Sequence, residues 1–354
     1  MLFYLITLFN FIFKLESQGV IKINNKVDVK DEVSFLVDLL LAHKKEYVQN
    51  FLKSRGFHFS GTKEDLRERL HFLAASRKIT REDLVSLLDQ IEGFGNQHIY
   101  LFKIPETWLE KLCDINWVKT VFEDHGLIDV YNQYKPLVLP EQPEVISINH
   151  SSDWLRIRWV TKREKLELME ERKEADEKKR EILVKKFLIR KYRATTMFRV
   201  SLITGDAELL IHRLPQGFDY RREKNKYLRR LDEWFGWGVL RHLDLYPAIS
   251  KIENSGEVRV RDVGVRTVRG SHIDIISPSR KHGIHDDPDA FSARRTIRTG
   301  TGSKGNFYWL PDKTGGMLSR EVHTIIYRDR VAFLGEYREE EINYVLGRIR
   351  HFIE

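Results

Sequence analysis

The sequence predicts an α+β protein: a small helical N-terminal part, then a larger part with a mainly antiparallel sheet and a closing helix. Three observations carry this. Between residues 31 and 92, apolar residues recur at three- and four-residue spacing, the period of a helix with one buried face. From Ser152 onward, short runs alternate apolar and polar, as half-buried strands do. The last stretch, from Glu339 to Phe352, returns to helical spacing through Ile342, Val345, Leu346 and Ile349.

In chain order, residues 1–30 form an apolar N-terminal segment. MLFYLITLFNFIF is an apolar run of about 12 residues, too short to span a bilayer and without the basic start of a signal peptide. Residues 20–30 alternate and suggest an extended lead. Asp31 opens a helix carrying Val33, Leu36, Val37, Leu40 and Leu41, and Val48, Phe51 and Leu52 mark a second. Gly56 stops that helix and Phe57-His58-Phe59 crosses in extended form. Ser60 caps a third helix, opened by Gly61-Thr62-Lys63 and buried through Leu66 and Leu70. Thr80, with Asp83 three residues on, caps a fourth through Leu84, Leu87, Leu88 and Ile91. Residues 31–92 are thus one helical domain. Residues 93–145 read as a small α/β connector: a strand at 97–104, a helix around Trp108, a strand at 117–122, then a crossing with Pro136, Pro140 and Pro143.

Residues 146–354 read as the α+β domain. Leu155, Ile157 and Trp159 give a strand with a buried face, and Arg156 and Arg158 its basic face. Residues 161–193 read as a long charged helix, because Glu174 and Lys178, Asp176 and Arg180, and Glu181 and Lys185 are four apart. Phe198, Val200 and Leu202 restart a strand, and a helix with interleaved aromatic and basic residues begins at Tyr220. Val258 to Val268 alternate with a break at Asp262, the mark of a bulge or turn. Strands follow at Ile273–Ile275, Phe307–Trp309, 322–327 and 331–334, with Arg328-Asp329-Arg330 as a hairpin tip.

The formal charge of +8 attracts polyanions, and 32% charged residues describe a highly charged surface. The single cysteine, Cys113, excludes a disulfide framework or thiolate metal cluster and favours a reducing, cytoplasmic compartment. Its helical spacing from Trp108, Leu109 and Leu112 makes it a small core residue.

The stretch from Glu46 to Leu73, EYVQNFLKSRGFHFSGTKEDLRERLHFL, resembles a SAP motif. The matching residues are Phe51, Leu52, Gly56, Phe57, Ser60, Gly61, Lys63, Leu66, Arg69 and Leu70. The resemblance implies a helix, extended crossing, helix module that binds duplex DNA with weak sequence preference. By that likeness the DNA-facing residues are Lys53, Arg55, Ser60, Gly61, Thr62, Lys63 and Arg67.

Catalytic signals are weak. His282, His285, Asp286, Asp287 and Asp289 are metal-ligand types, but a His-x-x-His pair beside Gly283 and Pro288 reads as a loop. Gly300, Gly302, Lys304 and Gly305 lack the Walker spacing and read as a flexible basic loop. No catalytic residue, metal or cofactor is assigned. The expectation is a non-catalytic DNA-binding protein, with a protein partner on the α+β domain and no membrane. The alternatives are a metal-dependent nuclease targeted by the same module, and a protein-interaction scaffold.

Overall fold

The computed structural model describes residues 29–135, 140–175, 180–215, 217–238, 240–279, 281–297 and 301–353. The apolar start and most of the extended lead lie outside them. The chain divides into two compact units, Met1–Leu88 and Asp89–Glu354. The boundary falls inside a helix.

The first unit is helical. Helix α1 spans Val29–Ala42, α2 Lys45–Ser54, α3 Lys63–Ala75 and α4 Arg81–Phe94. The apolar stripes read from the sequence are buried: Leu36, Leu40, Val48, Leu52, Leu66, Leu70, Leu84 and Leu88 are inaccessible to solvent. Helix α1 starts two residues before Asp31. Thr80 and Asp83 cap α4 reciprocally, through Asp83 Oδ2 on the Thr80 N–H (2.8 Å) and Thr80 Oγ1 on the Asp83 N–H (3.1 Å).

The second unit is built on one antiparallel sheet. Its strands are β1 Gln97–Lys103, β2 Glu144–His150, β3 Trp154–Ala175, β4 Glu181–Ser201, β5 Asp206–His212, β6 Val258–Arg266, β7 His272–Ile276, β8 Thr301–Trp309, β9 Val322–Tyr327 and β10 Val331–Phe333. Among the described residues the order is β2-β3-β4-β5-β1-β10-β9-β8-β6-β7. Helices α5 Glu106–Cys113, α6 Ile115–Asp124, α7 Tyr220–Phe235, α8 Tyr246–Glu253, α9 Pro288–Thr296 and α10 Glu339–Ile353 complete the unit. Residues 93–145, expected as a connector, instead supply the central strand and two of these helices.

Alternation along β1 feeds two cores. Tyr100 and Phe102 join Trp159, Phe198, Tyr227 and Phe235 beneath α5, α6 and α7. Ile99 and Leu101 join Val260, Phe307, Trp309 and the apolar faces of α8 and α10 on the other side. Helix α10 buries Ile342, Val345, Leu346 and Ile349, with Glu339, Glu340 and Glu341 in its first turn, as the spacing predicts. Arg199 ties it to the sheet, donating to Glu208 (3.0 Å), Glu339 (3.0 Å) and Asn343 (2.6 Å).

Several expectations are corrected. The predicted long charged helix at 161–193 is instead the arm of a β-ribbon at 161–175 and 181–193, with residues 176–179 outside the described ones. β3 and β4 pair from Trp154↔Ser201 to Ala175↔Glu181 with one shift at Leu168/Glu170. Glu181 and Lys185, four apart in the sequence, do not pair with each other but bond across the strands, Glu181 to Lys173 at 2.7 Å and Lys185 to Glu171 at 3.0 Å, while Asp176 and Lys178 lie outside the described residues. Residues 117–122 are helical because Asp114 caps α6, accepting from the Asn116 and Trp117 N–H groups, and Val118 and Phe122 share its buried face. Gly302, Lys304 and Gly305 lie in β8, not a loop. Cys113 is exposed, since it ends the short α5 whose inward residue is Leu112. The basic face of β3 is only partly solvated: Arg156 is half-buried, while Arg158 is 4% exposed, and burial, then Arg193, push its guanidinium down to about 9. The register shift between Val260 and Asp262 is the expected bulge.

Candidate nucleic-acid interface

Residues 45–75 form a helix, an extended crossing and a second helix. Helix α2 ends in a paired turn: the Phe57 N–H donates to Leu52 O (2.9 Å) and the Gly56 N–H to Lys53 O (3.0 Å). This closure puts residue 56 in the left-handed region, at φ +73°, where glycine carries no side-chain penalty. Helix α3 is capped by Thr62, not by the predicted Ser60. The Thr62 N–H (2.7 Å) and hydroxyl (2.8 Å) donate to Asp65, and Thr62 Oγ1 accepts from the Asp65 N–H. The Thr62 N–H first, then its hydroxyl, hold the Asp65 carboxyl below its ordinary value. Gly61 has φ +135°, and a Cβ there would stand 2.8 Å from Asp65 Cβ.

The residues nominated for DNA contact gather on this module, each with a neighbour. Lys63 Nζ donates to Leu41 O (2.5 Å) and His43 O (2.8 Å), carbonyls at the end of α1. Arg67 pairs with Asp38, and Arg55 with Asp83 at 2.6 Å while lying over the Phe51 ring. Lys53 lies 5.6 Å over Phe59, and the Ser60 hydroxyl is 2.9 Å from His58 Nε2. Arg69, which the nomination left out, donates to Ser60 O (2.9 Å) and fixes the extended crossing. Sequence reasoning missed the acidic partners Asp38 and Asp65. Asp83 was legible, but only as a cap.

In the second unit, Tyr227 and Phe235 of α7 are core residues, and Trp234 stacks on Trp159 with centroids 5.8 Å apart. Phe235 and Trp237 stack at 4.6 Å. Trp237 and Trp108 line a recess of about 220 Å³ with Lys103 and Arg241. Lys224 lies 4.9 Å over the Tyr100 ring, and burial pulls its ammonium below the usual lysine value.

The histidine- and aspartate-rich stretch at 282–289 does not assemble as a metal site. Asp286 accepts from the Gly283 N–H (2.7 Å), and Asp287 caps α9 through the Asp289 and Ala290 N–H groups. Among the described residues no three metal-ligating side chains converge. A Ser–His–Asp chain does occur across β6. Ser303 Oγ is 3.2 Å from His272 Nδ1, and His272 Nε2 is 3.1 Å from Asp274 Oδ1. Gly264 lies beneath, where a Cβ would meet all three side chains at 2.8–3.0 Å. His272 and Asp274 are about half exposed, so water screens the polarisation a nucleophile would need.

The chain matches no protein-family model and no curated protein. Among the described residues no helix is long and apolar enough to cross a membrane.

Proposed function

We propose that the protein binds duplex DNA through its phosphate backbone, without catalysis, using the helix, extended crossing, helix module at 45–75. The observation that supports this most is the SGTKEDLRERL stretch. It folds as an exposed crossing feeding a capped helix, with Lys53, Arg55, Lys63 and Arg67 around it. The carboxylate partners do not argue against it. Arg67 and Asp38 are 38% and 51% exposed, and such pairs contribute only about 0.2–1 kcal/mol. A phosphate can therefore take the place of Asp38 at little cost. Asp65 occupies the Thr62 donors at the start of α3, so contact comes through the basic side chains more than through that helix end. The exposed single cysteine supports a reducing, cytoplasmic setting.

The test is binding to unrelated duplexes across a salt series. Arg55→Ala with Arg67→Ala should weaken binding on all duplexes alike. The slope of log affinity against log salt should fall by about 2, since each phosphate contact contributes roughly 0.9. Asp38→Asn, which releases Arg67, should raise affinity. Unchanged affinity and slope in a folded double variant would reject the module as the DNA site.

A further inference from the structure

We infer that the β3–β4 ribbon is a self-association surface whose occupant is a second copy of this chain. β2 pairs with β3 only as far as Val160, and β5 pairs with β4 only from Thr196. Beyond those points the described ribbon has two strands, running about fifteen residues, or roughly 50 Å, from the sheet. A two-stranded ribbon alone in water is marginal and needs a packed face.

That face is present. Residues opposite one another in an antiparallel pair share a side, so Leu166 with Ile189 and Leu168 with Phe187 form one apolar cluster. They are 61%, 56%, 47% and 48% exposed, and Met169 bulges beside them at 64%. A contiguous apolar patch of this kind marks an interface.

Charge selects the occupant. On the same face, Glu164 opposite Lys191 bounds the cluster at the sheet end, and Glu171 opposite Lys185 bounds it at the far end. The two acids that flank the cluster lie on β3 and the two lysines on β4; only farther out does the order reverse, with Lys173 on β3 bonded to Glu181 on β4 at 2.7 Å. A twofold axis along the ribbon lays β3 of one copy over β4 of the other. Each glutamate then meets a lysine while the apolar clusters cover each other. An axis across the strands would set glutamate on glutamate. The face carries equal acid and base, so copies of a chain with net charge +8 do not repel there. The buried area is on the order of 1,000 Å² in total, near the lower limit of specific interfaces. The dimer should therefore depend on concentration.

The experiment is sedimentation of the full chain from low micromolar to several hundred micromolar. The expected mass rises toward twice that of the 42.0 kDa chain. Leu168→Glu with Phe187→Glu should hold it at the monomer with the fold intact by circular dichroism. Glu171→Lys alone and Lys185→Glu alone should each weaken the dimer about tenfold or more. An equimolar mixture of these two should restore it, because the lysine introduced in one copy then faces the glutamate introduced in the other. Loss of a pair within one ribbon cannot be rescued by mixing. A wild-type chain that stays monomeric throughout overturns the proposal, as does a dimer indifferent to the ribbon variants or a mixture no tighter than its components.

Discussion

Replacing Glu92 with glutamine should stabilise the second unit above neutral pH and change little in acid. Glu92 is 5% exposed, and its Oε2 lies 3.4 Å from Arg193 but accepts no hydrogen bond among the described residues. Burial pushes the carboxyl up from 4.5 to about 7, and Arg193 only partly offsets it. A group whose value is raised on folding gives its full contribution below 4.5 and loses it as pH rises to about 7. The interval of about 2.5 pH, at 1.36 kcal/mol each, comes to about 3 kcal/mol. Two histidines act oppositely. Burial first, then nearby arginines, push His98 down to about 3 and His212 to about 4, so each removes stability as pH falls below 6.5. The readout is therefore the difference between variant and wild type in urea unfolding, stepped from pH 4.5 to 8. It should grow by about 3 kcal/mol in favour of the glutamine form. A difference flat across that range would refute the idea that burial of Glu92, against Arg193, dominates this carboxyl.

Two further substitutions test packing and capping. Leu346→Ala should cost about 2–5 kcal/mol in urea unfolding, since Leu346 is 2% exposed within the α8–α10 core. An unchanged midpoint would mean that the stripe of α10 is not packed. Gly61→Ala should cost the first unit about 1–3 kcal/mol, because φ is +135° and the new methyl meets the Asp65 side chain. A neutral result, measured by loss of helical circular dichroism on heating, would show that the crossing shifts freely.

Much of the fold was legible because burial leaves a period. Leu155, Ile157 and Trp159 read as one face of a strand and are inaccessible in β3. The arm of the same strand was misread because glutamate and lysine that match four apart on a helix match equally well across a ribbon. What decided was continuity with β3 and β4 in the sheet, which no local window contains. The α6 error was avoidable, since Asp114 before Val118 and Phe122 is a capped helical pattern. Helix α8 carried a similar signal, Pro247 in its first turn with Ala248, Ile249 and Ile252 inward. At the candidate interface the module's outline was readable from Gly56 and Leu66. The partners of Lys63 and Arg67 were not, because they come from α1 and the residue that follows it, twenty or more residues away in the chain.

The sheet's strand order sets a timetable for synthesis. β1 to β5 come from residues 97–212 and can pair among themselves as soon as they leave the ribosome. Among the described strands the other half of the sheet joins them through β1 and β10, at His98↔Ala332 and Ile99↔Val331. At roughly 5–20 residues per second, β1 waits on the order of ten seconds for β10 after β5 has emerged. During that wait its outer edge is an open row of donors and acceptors flanked by Ile99 and Leu101, a template for any passing strand. Slow translation between β5 and β10 should therefore promote aggregation of nascent chains.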